Sequence, residues 1–288
     1  MHHQSKEENS YVIDVESGAE LARLMDRDVK YTEAMGSLLP PDLDGSNLHD
    51  ILDIACGPGG WAMDVGFAYR HIKVIGIDTS RTMIDYARAL ASVRRLSNVY
   101  FQVMDATQPL QFPESSFDMV NARTIIGFLL KEQWPSLIQE CIRITRPGGV
   151  IRLSECDEVA RTNSEAFEQM NRLVMRAFSL TGRSLSSDGE NLGITSYLPR
   201  LLLQAGYSAL QEQMHMIDLS AGSTGHDILT DNYLTGFTLM QSFLIKAGLT
   251  TEEKWQQLLQ QADIDMHMPD FRGYTYLKSV WGRKSPSG

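Results

Sequence analysis

The chain has 288 residues, 43% of them apolar and 22% charged, and a formal net charge of −10. Those values exclude a disordered chain, and no apolar run reaches the roughly eighteen residues that a bilayer-spanning helix needs. The acidic balance repels a phosphate backbone overall, so nucleic acid is not an expected partner.

The predicted elements begin with Ser17 and Glu20, at capping-box spacing. Leu21, Leu24, Met25 and Val29 then recur at helical intervals, and Gly36 supplies a stop. After a turn at Pro40-Pro41 the pattern alternates. Ile51 to Ala55 reads as a strand, a glycine turn leads into a helix from Trp61, and Lys73 to Ile77 reads as a second strand ending at Asp78. Ser80 caps a helix whose Met83, Ile84, Ala87 and Leu90 share a face. Val99 to Met104 and Phe117 to Ala122 read as the third and fourth strands. Pro135 opens a helix carrying Leu137, Ile138, Cys141 and Ile142, and Pro147-Gly148-Gly149 halts it before a strand Val150 to Ser154.

Beyond Glu155 the rhythm breaks. Phe167 to Phe178 has helical spacing, and Thr181 to Gly189 reads as an exposed loop. A helix from Tyr197 to Ala205 is stopped by Gly206, and an extended stretch ends near Leu219. Helices near Tyr233 to Lys246 and Glu252 to Met266 precede a last extended run, Tyr274 to Trp281. These later helices, with the first one, are expected to cover the open end of the sheet. The division this predicts is a lid helix in 1–45, a core in 46–160, and helical cap insertions with the last strands in 161–288.

Cys56, Cys141 and Cys156 are odd in number, lack CxxC spacing and follow no apolar signal segment, which predicts a reduced, cytoplasmic setting. Their spread also fails the clustered pattern of a radical iron–sulfur centre. Met1-His2-His3 is too short to identify as a tag, and no internal repeat or low-complexity tract occurs.

In an open parallel sheet, ligands bind outside the carboxyl ends of the strands. Gly57, Gly59 and Ala62 match GxGxx(G/A), and Asp78 follows Gly57 by 78 − 57 = 21 residues, so a dinucleotide reading stands. Yet Asp53 precedes the loop and no Lys or Arg lies within it. Such charges suit an ammonium better than a pyrophosphate, and point to a nucleoside with a cationic amino-acid tail.

The segment Asp53 to Gly60 resembles class I S-adenosylmethionine (SAM) dependent methyltransferases, in the small-molecule branch similar to the ubiquinone and menaquinone pathway enzymes (methyltransferase type 11). Val74-Ile75-Gly76-Ile77-Asp78, Met104-Asp105-Ala106, Phe117-Asp118-Met119-Val120 and Arg146-Pro147-Gly148-Gly149 carry the same resemblance, which is strong over residues 50–155. It implies an α/β, Rossmann-like, mostly parallel sheet of seven strands, the last antiparallel, with helices on both faces. It also implies a cofactor site of Asp53, Ala55, Cys56, Gly57, Gly59, Asp78, Thr79, Met83, Asp105, Ala106, Ala122 and Arg123. In that site Asp53 would hold the ammonium, Asp78 the ribose hydroxyls and Asp105 the adenine amino group, while Ala122-Arg123 would pass close to the sulfonium.

Methyl transfer from a sulfonium chiefly needs in-line alignment and exclusion of water. Where the acceptor carries a proton a base helps, and Glu155 at the end of the fifth strand is the candidate. Tyr31, Ile126 and Tyr197 are candidates for the substrate pocket. His215, His226 and His267 form no HExxH motif and Asp263-x-Asp265 lacks the rest of a calcium loop, so no metal is expected. The expected acceptor is a small, apolar or aromatic metabolite methylated on oxygen, nitrogen or carbon, with S-adenosyl-L-homocysteine as the second product. An NAD(P)-dependent reductase and a non-catalytic protein binding SAM or its product are the alternatives. The oligomeric state is open, a homo-oligomer included.

Overall fold

Strand β1 (Asp50–Ile54) turns Leu52 and Ile54 to one face of a sheet and Ile51 and Asp53 to the other, and all four are buried. Burial on both faces is what a central parallel strand requires, since helices cover the two sides. The molecule, seen as a computed structural model, is described over residues 12–286; Met1, His2 and His3 lie outside the described residues. β2 (Lys73–Asp78), β3 (Val99–Val103), β4 (Phe117–Arg123) and β5 (Thr145–Glu155) run parallel to β1 in the order β3-β2-β1-β4-β5. The long strand β8 (Gly273–Lys284) lies antiparallel to β5, and β7 (Tyr207–Asp218) pairs antiparallel with its far edge.

The expectation of seven strands is corrected to eight among the described residues. The extra one is β6 (Arg161–Thr162), whose two residues pair with Gly273 and Tyr274 at the start of β8, on the same edge of β8 as β5. Two residues carry no readable alternation, so periodicity is silent there.

Helices α2 (Gly60–Ala68) and α3 (Arg81–Val93) pack on the face carrying Ile51, Val74 and Met119. Ser80 caps α3 by accepting from the Met83 amide at 3.1 Å. The opposite face, with Leu52, Val120 and Ile151, joins the larger core that includes α4 (Trp134–Ile144) and α6 (Ile194–Ala205). That core extends into α5 (Glu165–Leu180), α7 (His226–Lys246) and α8 (Glu252–Met266), so the later helices share the core of the sheet. α8 is tied to α7 where the Trp255 indole N–H donates to the Phe237 carbonyl at 3.1 Å.

Several boundaries differ from expectation for identifiable reasons. β5 begins at Thr145, because Thr145 already pairs with Phe117. The Pro147-Gly148-Gly149 segment is an irregularity inside the strand pairing, with Gly148 left-handed at φ +77°. α6 begins at Ile194, where the Asp157 carboxylate accepts from the Thr195 amide at 3.0 Å and caps the helix from 38 residues away. α7 begins at His226 and not Tyr233, its first turns being too polar to show an apolar period.

Helix α1 (Gly18–Met35) ends as expected at a left-handed Gly36, but its capping box does not form. Glu20 turns instead to Arg23, in a bidentate pair of two 2.7 Å bonds. Glu20 has no exposed surface and Arg23 is buried, and the Asn232 side chain of α7 donates to the Arg23 carbonyl at 2.6 Å. The face of α1 turned inward is therefore Glu20, Arg23, Tyr31 and Met35, while Val29 lies exposed.

Candidate functional site

The carboxyl ends of β1 to β4 open into a cavity of about 570 Å3 roofed by α1. Its backbone geometry is unusual at two neighbouring strand tips. Ala55 after β1 and Thr124 after β4 both take φ of +53°, a conformation that costs a side-chain-bearing residue about 1 kcal/mol or more. Gly57, also at φ +53°, lines the same cavity, and a Cβ there would meet Leu24 of α1 only at 3.7 Å. The glycine loop therefore leaves an open cradle for a ligand to approach the backbone.

Of the twelve residues expected at the cofactor, ten line this cavity: Asp53, Ala55, Cys56, Gly57, Asp78, Thr79, Met83, Asp105, Ala106 and Arg123. Gly59 and Ala122 do not. Gly59 is the left-handed N-cap of α2, where a Cβ would stand 2.5 Å from the Phe101 ring, so its glycine serves helix-on-sheet packing. Ala122 is buried within β4 and belongs to the core.

The Asp78 carboxylate accepts from the Gly57 amide on Oδ2 and the Ser80 amide on Oδ1, both at 2.9 Å. Burial raises its pKa, against which the Ser80 and Gly57 amides hold it down. Asp105 Oδ1 accepts from both the amide and hydroxyl of Thr107 at 2.8 Å. Asp53 is buried deepest. Its Oδ1 accepts from Asn121 Nδ2 at 2.7 Å, and Asn121 Oδ1 accepts from Arg152 Nε at 2.8 Å. The parallel register sets these three residues side by side across β1, β4 and β5. Burial raises the Asp53 pKa to about 7, with the Arg123 guanidinium opposing the rise.

Two contributions from α1 escaped sequence reasoning. Asp28 pairs with Arg123, which also donates to Thr32 Oγ1 at 3.0 Å, and the Asp28 carboxylate lies against Gly60 in the first turn of α2. Arg27, one residue earlier, faces both this cavity and a second one. The charge and helical spacing of α1 were visible, but nothing local says that the helix crosses the strand tips.

The second cavity, about 120 Å3, lies under the later helices and shares Arg27, Tyr31 and Thr124 with the first. Tyr31 and Ile126, expected at the substrate, line it. Tyr197 lines neither cavity; α6 turns Ile194, Leu198, Leu201 and Leu202 inward and leaves Tyr197 40% exposed. Tyr233, Phe237 and Met240 of α7 complete one wall; the sequence marks Phe237 and Met240 as part of an apolar helix face open to the core or to an apolar substrate.

Glu155 also lines neither cavity. It has no exposed surface, and its Oε1 accepts from the Ile125 amide at 2.7 Å, fastening the turn that carries Thr124 and Ile126. The geometry corrects the expected base to a support behind the cavity wall. Burial, its largest influence, raises the Glu155 pKa to about 8 against the pull of the Ile125 and Ile126 amides. The folded protein then retains a proton that an unfolded chain with a pKa near 4.5 releases. This stability contribution is complete below about pH 4.5 and is lost as pH rises through about 8. Glu155→Gln, which fixes the neutral form, is expected to flatten that pH slope and exceed the parent at pH 8 by on the order of 1–3 kcal/mol. Urea unfolding at pH 5.5 and pH 8 checks it, and an unchanged slope would contradict the protonated carboxyl.

His215, His226 and His267 are dispersed: His215 Nε2 meets Ser279 Oγ at 3.1 Å, His226 Nδ1 the Leu219 carbonyl at 2.7 Å, and His267 Nδ1 the Asp263 carbonyl at 2.8 Å. Cys56 sits half-buried with its thiol pKa pushed up by burial, the opposite of an activated nucleophile.

Residues 51–149 match the family described as a methyltransferase domain. The chain is 28% identical over 176 residues to a demethylmenaquinone methyltransferase of Lactococcus lactis, covering 57% of this chain and 68% of the relative. It is 29% identical over 156 residues to a trans-aconitate 2-methyltransferase of Methylobacterium radiotolerans, covering 54% and 53%. Among solved structures, the YcgJ protein of Bacillus subtilis superposes with a TM-score of 0.52 at 17% identity, covering 82% of this chain and 92% of that one, a likeness of fold.

Proposed function

We propose that this chain, whose residues 51–149 match the methyltransferase domain family, is a SAM-dependent methyltransferase acting on a small acceptor with an apolar or aromatic body. The observation that carries the reading is the strand-tip cavity with Asp53, Asp78 and Asp105 around an open glycine cradle. The donor set fits the cofactor. Four carboxylates, those of Asp28, Asp53, Asp78 and Asp105, face two guanidiniums, those of Arg27 and Arg123, a balance that favours a ligand of net positive charge. A dinucleotide fits less well, because the first turn of α2, where a pyrophosphate needs amide donors, is covered by the Asp28 carboxylate.

In the bound state the cofactor supplies a methyl group on a sulfonium, which departs as a neutral thioether. Asp53 holds its ammonium and Arg123, braced by Asp28 and Thr32, its carboxylate. Asp78 accepts the ribose hydroxyls with the lone pairs left over from its two amide bonds, and Asp105 and Ala106 meet the adenine. The acceptor enters the second cavity, whose shared wall of Arg27, Tyr31 and Thr124 marks where the two ligands meet. Burial raises the Tyr31 pKa to about 12, so its hydroxyl stays protonated and can donate to an acceptor oxygen. The apolar walls and the roof of α1 exclude water, and alignment does the rest. The two relatives act, by name, on chemically different acceptors, so the acceptor follows from the second cavity and not from kinship.

Calorimetry with S-adenosylhomocysteine and with NADH tests the reading; binding of NADH without adenosylhomocysteine would overturn it. With Asp53 near pKa 7, an ammonium must draw it into the ionised form. Adenosylhomocysteine affinity is therefore expected to rise by up to about tenfold between pH 6 and pH 7.5, a dependence that Asp53→Asn abolishes. Affinity independent of pH in the parent would remove Asp53 from the ammonium. Transfer of labelled methyl to a pooled set of small apolar acceptors separates an enzyme from a binding protein.

A further inference from the structure

We infer that the second cavity takes an apolar acid, a ring-sized hydrophobic body bearing one ionised carboxylate or phenolate oxygen, and that Arg27 holds that oxygen. This rests on the methyltransferase reading and adds the acceptor class to it.

Size and lining set the body. An apolar hole of roughly 150 Å3 admits a benzene, and the cavity here is about 120 Å3 and walled by Met175, Phe178, Leu192, Leu229, Phe237 and Met240. One ring or a branched chain of similar bulk fills it.

Charge sets the head group. The charged side chains on the lining are Arg23, Arg27 and Glu158. Arg23 is matched by Glu20 at 2.7 Å, and Glu158 by Arg161 Nε at 2.5 Å. Among the described residues Arg27 has no ion-pair or hydrogen-bond partner; its guanidinium lies 5.7 Å from the centre of the Tyr31 ring. The neighbouring carboxyls are otherwise engaged. Asp28 is taken by Arg123, Asp157 by the Thr195 amide, and Glu155 accepts from the Ile125 amide on Oε1, its Oε2 being buried without a partner among the described residues. With its pKa raised to about 8, Glu155 also carries little charge at neutral pH. A half-buried guanidinium left so favours an anion, and a planar carboxylate or phenolate oxygen meets it with charge-assisted bonds.

A second polar group points to the same ligand. Tyr233 lines this cavity, and among the described residues its buried hydroxyl has no hydrogen-bond partner. Its pKa is pushed upward by burial and by the nearby Tyr31 and Cys156, while Arg27 pulls against the rise. It therefore stays a proton donor close to Arg27, and one acceptor oxygen can satisfy both groups.

Benzoate and benzamide, equal in shape and different in charge, are titrated calorimetrically into the full chain saturated with S-adenosylhomocysteine. Benzoate is expected to bind at least about tenfold tighter than benzamide. Arg27→Gln should reduce that preference below about threefold, and Arg27→Lys should restore part of it. Equal binding of the two probes, no benzoate binding at millimolar concentration, or a preference that survives Arg27→Gln overturns the inference and leaves the methyltransferase reading standing. A loss of adenosylhomocysteine affinity in Arg27→Gln with the benzoate preference intact overturns it too, by placing Arg27 on the cofactor's carboxylate. Failure of the parent chain to bind adenosylhomocysteine brings down the methyltransferase reading, and the acceptor class with it.

Discussion

Arg23→Ala is expected to destabilise the chain by about 3–5 kcal/mol, the cost of leaving one member of a buried ion pair without the other. Glu20 has no exposed surface, and both its carboxylate oxygens bond the Arg23 guanidinium at 2.7 Å. Without that guanidinium the carboxylate loses both bonds of its bidentate partner at a position with no exposed surface, and keeping its charge there costs free energy. Replacing both partners by apolar residues of similar volume, Glu20→Leu with Arg23→Met, should recover most of the loss, because the desolvation cost of both charges then vanishes. Urea unfolding of the single and double variants checks this. A single variant within 1 kcal/mol of the parent would mean that the buried pair contributes little to holding α1. A functional consequence follows from the position of α1: the helix supplies Leu24, Arg27, Asp28 and Tyr31 to the cofactor cavity, so loosening it opens the site that it roofs.

The parts legible in the sequence are those where local pattern and tertiary role coincide. β1, β2 and β4 are short apolar runs buried on both faces, and their tips carry Gly57, Asp78 and Arg123, which line the cavity, as expected from the glycine spacing for the first two and from the family resemblance for Arg123. The Ser80 cap is another such case, since the side chain that starts α3 acts within three residues. Reading failed where a distant residue does a local job. Asp157 caps α6 from across the chain, and Arg23 draws Glu20 away from a capping box whose spacing was correct. Glu155 was placed at the right strand end, but the direction its side chain takes is set by the amides of Ile125 and Ile126, which no sequence window contains. Tyr197 failed for a simpler reason: the inward face of α6 was already filled by leucine and isoleucine. The acceptor side was least legible, because its walls come from α1, α5 and α7, widely separated in sequence and joined only by packing.

Asp78→Ala should weaken S-adenosylhomocysteine binding by about 30-fold or more, the largest effect expected of a single change at the cofactor. The carboxylate does two things at once. It fastens the glycine loop to the end of β2 through the Gly57 amide and organises the start of α3 through the Ser80 amide, both at 2.9 Å. It also presents the lone pairs proposed for the ribose hydroxyls. Asp78→Asn separates these contributions: its amide oxygen can still accept from Gly57 or Ser80, but it has lost the charge and one of the two acceptor oxygens. An asparagine variant with intermediate affinity and near-parent thermal stability would show that ribose recognition dominates. One equal to alanine in both measurements would show that fastening the loop dominates. Parent-like affinity in Asp78→Ala would remove the residue from the site. Because the geometry here is a carboxylate already bonded to two backbone amides at a strand tip, the loss should appear as faster release of ligand, the cradle around Gly57 being no longer held in the left-handed conformation that opens it.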